Sequence, residues 1–171
     1  MFQLSIVLIF FLCFLLYTVR FKNLLKRFGD IYFRFSDTHG EMMTLHTYAK
    51  YIQSIDGGLY DDSPLAIYDS EFGSPNSPLI ELLQEYSVPK CFSDDLFDLV
   101  DADESNRPPW RWILIGPSRS GTGMHVDPLW TNAWVTLLEG HKRWILFPPS
   151  VPPELIGMVD PPIPSVIWFH R

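Results

Sequence analysis

Residues 110–149 read WRWILIGPSRSGTGMHVDPLWTNAWVTLLEGHKRWILFPP. A strand is expected over residues 110–115, followed by a Gly/Ser-rich turn and a His-x-Asp pair. Two more strands follow, joined by a tight turn at Glu139-Gly140. His125 and Asp127 are two residues apart, so on an extended chain both side chains leave the same face. One imidazole and one carboxylate at that spacing can hold a cation from adjacent corners. They supply two-thirds of the two-His-one-carboxylate triad that binds non-haem Fe(II) and leaves positions open for cosubstrate and oxygen.

A bare His-x-Asp pair is common in turns whose histidine is merely hydrogen-bonded, so its surroundings carry weight. Gly121 and Gly123 let backbone approach closely just before the pair. Thr122, three residues before His125, offers a hydroxyl. Lys142 follows the Glu139-Gly140 turn, and an ammonium reaching into an apolar barrel needs an anionic partner. The carboxylate of an oxo-diacid would serve; a surface lysine beside Arg143 would need none. Among the other histidines, His39, His46, His141 and His170 lack ligand-like spacing. His46 falls within a helix and His141 at a turn facing water. His170 is the one positional candidate for a third ligand, but it adjoins Arg171 and is not assigned that role. Trp130, Trp134 and Trp144 read as core and barrel wall, and Arg111 and Arg119 as paired surface charge, with contact to a substrate as the other reading.

The chain has 171 residues, which suits one domain of ordinary size, and its 47% hydrophobic content is enough for a packed core. With 13 basic and 20 acidic residues the net charge is −7, which argues against direct nucleic-acid binding. The two cysteines, Cys13 and Cys91, make no disulfide framework and read as buried thiols. The acid-rich stretch 94–104 reads as a solvated face.

Residues 1–19 carry no charge and would form a helix about 28 Å long, close to a hydrocarbon core. A secretory signal would want positive charge before the apolar run, and a buried globular helix would show polar positions every turn. An anchor fits best. Arg20, Lys22, Lys26 and Arg27 follow it, so the domain is expected on the cytosolic side of a membrane. A wrongly assigned or alternative exon is a further reading of the same stretch.

Beyond it, residues 21–28 are expected to form a helix stopped at Gly29, and 31–35 a strand. Residues 45–54 are expected to form a helix capped by Thr44, with Leu45, Tyr48, Tyr51 and Ile52 on one face. Asp56-Gly57-Gly58 breaks it. Residues 65–68 read as a short buried strand, 73–78 as a loop, and 79–86 and 93–100 as short helices. Pro152 and Pro153 start a helical turn through Ile156, and residues 165–169 read as a last strand.

The words RPPWRW, GPSRSGTGMHVDP and GHKRWILFPP resemble the Jumonji-C (JmjC) family, as do YAKYI, DDSPLAIYDS and LLQEYSVPKCFSDDLF upstream. The likeness is to the subgroup of arginine demethylases and lysyl hydroxylases and covers roughly residues 20–171. It implies a mainly β fold with flanking helices, a double-stranded β-helix of cupin or jelly-roll type, incomplete at both ends. Residues 20–109 would be the flanking helices and strands, and 110–171 part of the core. The resemblance implies Fe(II) held by His125 and Asp127, and 2-oxoglutarate held by Thr122 and Lys142. It implies a histone or other lysine- or arginine-bearing protein as substrate, and a nuclear location if residues 1–19 are no anchor.

Three departures stand against a working enzyme. The family's distal histidine lies many tens of residues after its His-x-Asp pair, and VIWFHR resembles a strand before it, so His170 does not match. Val135 stands where the subgroup has asparagine, and Phe72 where a tyrosine is expected. A non-catalytic JmjC fragment or pseudoenzyme that only binds is the competing expectation.

Overall fold

The computed structural model describes residues 20–35, 41–99, 107–159 and 162–170. It opens with helix α1 (Phe21–Phe28), whose buried Leu24 and Phe28 recur four residues apart. Arg27, on its last turn, reaches Glu81 at 2.8 Å and Glu85 at 2.5 Å. Strand β1 (Tyr32–Arg34) then pairs antiparallel with β2 (Met42–Thr44), with Phe33 opposite Met43. Helix α2 (Leu45–Gln53) starts where expected, because the Thr44 hydroxyl accepts the Thr47 amide at 3.2 Å. Its inward face carries Leu45, Tyr48 and Ala49, and a wide turn over Ile55–Leu59 ends it at the expected glycines.

Strand β3 (Ile67–Asp69) pairs antiparallel with β4 (Ile113–Ile115), Tyr68 opposite Leu114. A bridge from Phe35 to Ile67 brings the two small sheets together. Between them the two helical layers enclose one core of Leu24, Phe28, Phe33, Leu45, Tyr48 and Ile67, closed by Phe72, Leu79 and Leu82. Phe72, the residue in the tyrosine's expected place, is thus a core ring.

Tyr48 is the polar pin of this core. It has no exposed surface, yet its hydroxyl donates to the Leu65 carbonyl at 2.9 Å and the Ile115 carbonyl at 3.0 Å. It therefore ties α2 to β4, 67 residues away in sequence. Burial, then the neighbouring Tyr51, pushes its phenol well above the usual tyrosine range. Tyr48→Phe keeps the ring and removes the one phenol hydrogen that the two carbonyls share, so it is expected to cost about 1–3 kcal/mol in urea unfolding. In the parent, stability is also expected to fall as the pH rises above 10.0, because the unfolded phenol ionises there and the buried one does not. The phenylalanine variant should lose that alkaline component.

Several sequence expectations are corrected. The two strands flanking Glu139-Gly140 are not formed among the described residues, although Gly140 does make the turn at φ +86°. Among the described residues the sheets are two antiparallel pairs, and a double-stranded β-helix is not shown by them. None of the described residues between 107 and 159 is buried, and Trp130 is 66% exposed, so the tryptophans there are not a barrel wall. A strand needs a hydrogen-bonding neighbour and an opposing face, and among the described residues no second sheet meets residues 131–148. Residues 165–169, read as a strand, form instead helix α3 (Ser165–Trp168). Pro164 opens it, its carbonyl accepting the Trp168 amide at 2.9 Å.

The helix expected over 93–100 is replaced by single 3₁₀ turns at Lys90–Phe92 and Leu96–Leu99. Cys91, read as buried, is exposed, and Cys13 lies outside the described residues. The membrane localisation is corrected as well. No helix among the described residues is long and apolar enough to cross a membrane, and the stretch 1–19 that suggested an anchor lies outside them.

Candidate functional site

The site forms where the chain leaves β4. A turn over residues 117–120 closes when the Ser120 amide and hydroxyl both donate to the Pro117 carbonyl, at 3.2 and 2.7 Å. Thr122 is thereby carried back over β3, where its hydroxyl and that of Tyr68 share a hydrogen bond. The glycines on either side are needed for close packing. A Cβ on Gly121 would lie 2.7 Å from Ser165 Oγ, and one on Gly123 3.2 Å from the Ile163 carbonyl.

His125 and Asp127 do leave the chain on the same side, with Nε2 and Oδ1 3.2 Å apart. The other ring nitrogen, Nδ1, sits 2.8 Å from the Gly123 carbonyl. A carbonyl only accepts, so Nδ1 carries the hydrogen and a neutral ring turns the lone pair of Nε2 toward the carboxylate. Two acceptors then face each other, an arrangement that requires a proton or a metal ion between them. Donation of the far ring N–H to a backbone carbonyl is also how ligating histidines are oriented. The 3.2 Å separation matches two ligands at adjacent corners of a cation about 2.1 Å from each. Both side chains are partly open to solvent, so an ion could enter. The donor set therefore fits a divalent cation, although no group of three His, Cys, Asp or Glu suited to a metal occurs among the described residues.

Lys142 lies on the exposed segment after Gly140, with its ammonium 4.3 Å from the centre of the Trp144 ring. The side chain is accessible, yet enough protein surrounds its head group that desolvation holds its pKa below the usual lysine value. An anion beside it would reverse that effect. The remaining expectations resolve simply. His46 bonds Asp30 at 3.1 Å, His141 and His170 are exposed, and Trp134 stacks on Phe92. Arg119 binds the Leu59 carbonyl at 3.0 Å and faces Asp62 at 3.6 Å, the paired charge that was expected. Arg111 lies over the Trp110 ring and bonds Tyr86, whose phenol is pushed up by burial, the charge and hydrogen bond of Arg111 opposing that rise in part.

Tyr68 is the residue that sequence reasoning passed over. The alternation of a buried Ile67 and Asp69 around it was a signal that its side chain leaves the opposite face. Nothing local says that Thr122 would be waiting there.

No family model matches the chain. Individual relatives do. The chain is 54% identical over 115 residues to the bifunctional arginine demethylase and lysyl-hydroxylase psr-1 of Caenorhabditis elegans, covering 64% of this chain and 28% of the relative. It is 40% identical over 133 residues to the lysine-specific demethylase JMJ21 of Arabidopsis thaliana, covering 77% of this chain and 13% of the relative. It is 25% identical over 142 residues to the human 2-oxoglutarate and iron-dependent oxygenase JMJD4, covering 76% of this chain and 32% of the relative. The chain thus spans a third or less of the length of these relatives. Over that part, it belongs to the JmjC family. Within the family its likeness is to the Jumonji domain-containing protein 6 type, the group to which the nematode relative's name points.

Proposed function

We propose that the chain carries part of the site of an Fe(II)/2-oxoglutarate-dependent oxygenase that modifies lysine or arginine side chains of proteins. The observation that carries this reading is the His125–Asp127 pair, two metal-binding atoms 3.2 Å apart with the imidazole oriented by the Gly123 carbonyl. The names of the relatives support the cofactor pair and the substrate class. In this reading His125 and Asp127 hold the iron, while Thr122 and Lys142 hold the distal carboxylate of 2-oxoglutarate by hydrogen bond and charge. When bound, the pair supplies with oxygen the oxidant that hydroxylates a C–H bond as 2-oxoglutarate becomes succinate and CO2. The two glycines beside Thr122 keep the turn close to its neighbours, and the partly open faces of His125 and Asp127 admit the ion. The surrounding architecture in this reading is the cupin-type double-stranded β-helix of the family.

A second reading is a non-catalytic JmjC module that only binds; among the described residues the candidate ligands are His125 and Asp127, 3.2 Å apart. Two ligands hold a divalent cation weakly, so this chain is expected to release little or no succinate when given Fe(II), 2-oxoglutarate and oxygen. Saturable, cation-dependent binding of 2-oxoglutarate, followed by calorimetry with Mn(II), is expected all the same. Lack of any such binding would remove the oxygenase reading, and brisk succinate release, lost in His125→Ala, would remove the binding-only one.

A further inference from the structure

We propose that Glu139 is a positioning residue: by capping helix α1 from 118 positions away, it fixes the turn that carries Lys142. The inference rests on the cosubstrate reading given above. Among the described residues, no backbone–backbone hydrogen bond joins residues 132–147 to one another or to another segment. Side-chain contacts hold this stretch instead. Trp134 stacks on Phe92, and the Arg143 guanidinium lies 5.2 Å from the centre of the Phe169 ring. Between them, the Phe21 amide donates to the Glu139 carboxylate at 3.0 Å. Lys142 follows Glu139 by three residues, across the turn that Gly140 makes at φ +86°.

The first amides of a helix have no acceptor within it, and the helix dipole draws negative charge to that end. The sequence of α1 meets neither need itself. Arg20, at the N-cap, makes no side-chain cap bond, and the first turn holds no acidic residue. Glu139 supplies acceptor and charge together. α1 is in turn seated in the core by Leu24 and Phe28, so the carboxylate is tied to a packed element and not to another loop. The turn has no packing of its own at Gly140, where an added Cβ would meet nothing within 4 Å. Cutting the tether therefore frees the turn, and Lys142 with it. An ammonium already held in place loses less freedom on meeting a carboxylate than one that must first be ordered.

The test is calorimetric titration of the chain with 2-oxoglutarate in the presence of Mn(II), beside titration with Mn(II) alone. Glu139→Ala is expected to bind 2-oxoglutarate about threefold to fivefold more weakly, the size of one charge at a helix end. It should bind Mn(II) like the parent, because His125 and Asp127 lie outside the turn. Phe21→Pro removes the donor instead. Proline suits the first position of a helix, and Arg20 already has the extended backbone, ψ 144°, that precedes a proline. Phe21→Ala loses the ring but keeps the amide, so Phe21→Pro should fall below it by the same factor. Adding Glu139→Ala to Phe21→Pro, or to Lys142→Met, should cost nothing more. Thermal unfolding followed by circular dichroism establishes that each variant is folded; should Phe21→Pro not fold, Glu139→Ala decides alone. Parent-like 2-oxoglutarate binding by a folded Glu139→Ala, a matching loss of Mn(II) affinity, or losses that multiply in a double variant would overturn the positioning role and leave the cosubstrate site standing. No 2-oxoglutarate binding by the parent would overturn both.

Discussion

Phe33→Ala is expected to remove a large share of the folding free energy of the chain. Phe33 is 1% exposed, at the centre of β1, between the β1–β2 pair and the helices that cover it. Truncating a buried phenylalanine costs roughly 3–5 kcal/mol, as lost transfer energy and as the cavity left behind. A domain of ordinary stability has about 5–15 kcal/mol in all. The core here is small, drawn almost wholly from residues between Leu24 and Leu82, with Val166 the one buried apolar residue from the C-terminal part described. Few neighbours can therefore shift to fill the gap. Urea unfolding followed by tryptophan fluorescence and by circular dichroism should show the midpoint falling sharply with the slope unchanged. A loss below about 1 kcal/mol would mean that the β1–β2 pair is not part of the cooperative unit.

The second large effect is on metal affinity. His125→Ala is expected to weaken Mn(II) binding by at least about a hundredfold, the upper end of what losing even a supporting partner costs a metal site. In the parent, the Nε2 lone pair and the Asp127 carboxylate converge at 3.2 Å, and the bond from Nδ1 to Gly123 holds the ring in that orientation. With alanine, one carboxylate remains at a partly open site, and water competes on nearly equal terms. Asp127→Asn should weaken binding as well, since it keeps the shape and removes the charge. Paramagnetic resonance of free Mn(II) reads both variants directly. The substitution lies on a partly exposed side chain, so folding should be unaffected. If His125→Ala binds Mn(II) like the parent, the pair is an ordinary ion pair bridged by a proton.

The helices and turns near the start of the described chain were legible because their signals are short-range. Thr44 caps α2 by a bond to Thr47, three residues on, and the buried face of α2 follows from a spacing of three and four. Gly140 turns where Glu139-Gly140 said it would. The strands around that turn did not form, because strand pairing depends on which distant segment supplies the edge. Residues 165–169 went the other way for a local reason, the proline that precedes Ser165 and starts a helical turn.

What the amino-acid order settled alone is the His125–Asp127 convergence: a two-residue spacing on extended backbone sends both side chains one way whatever the rest of the chain does. The family likeness was equally legible, since it resides in contiguous words. What only the tertiary structure decided is which residues surround that pair. The meeting of Tyr68 with Thr122, the tie from Tyr48 to the Ile115 carbonyl, and a core concentrated in the first half all join segments far apart in sequence. Such contacts depend on how packed elements bring the ends of long loops together, and no short-range periodicity encodes that.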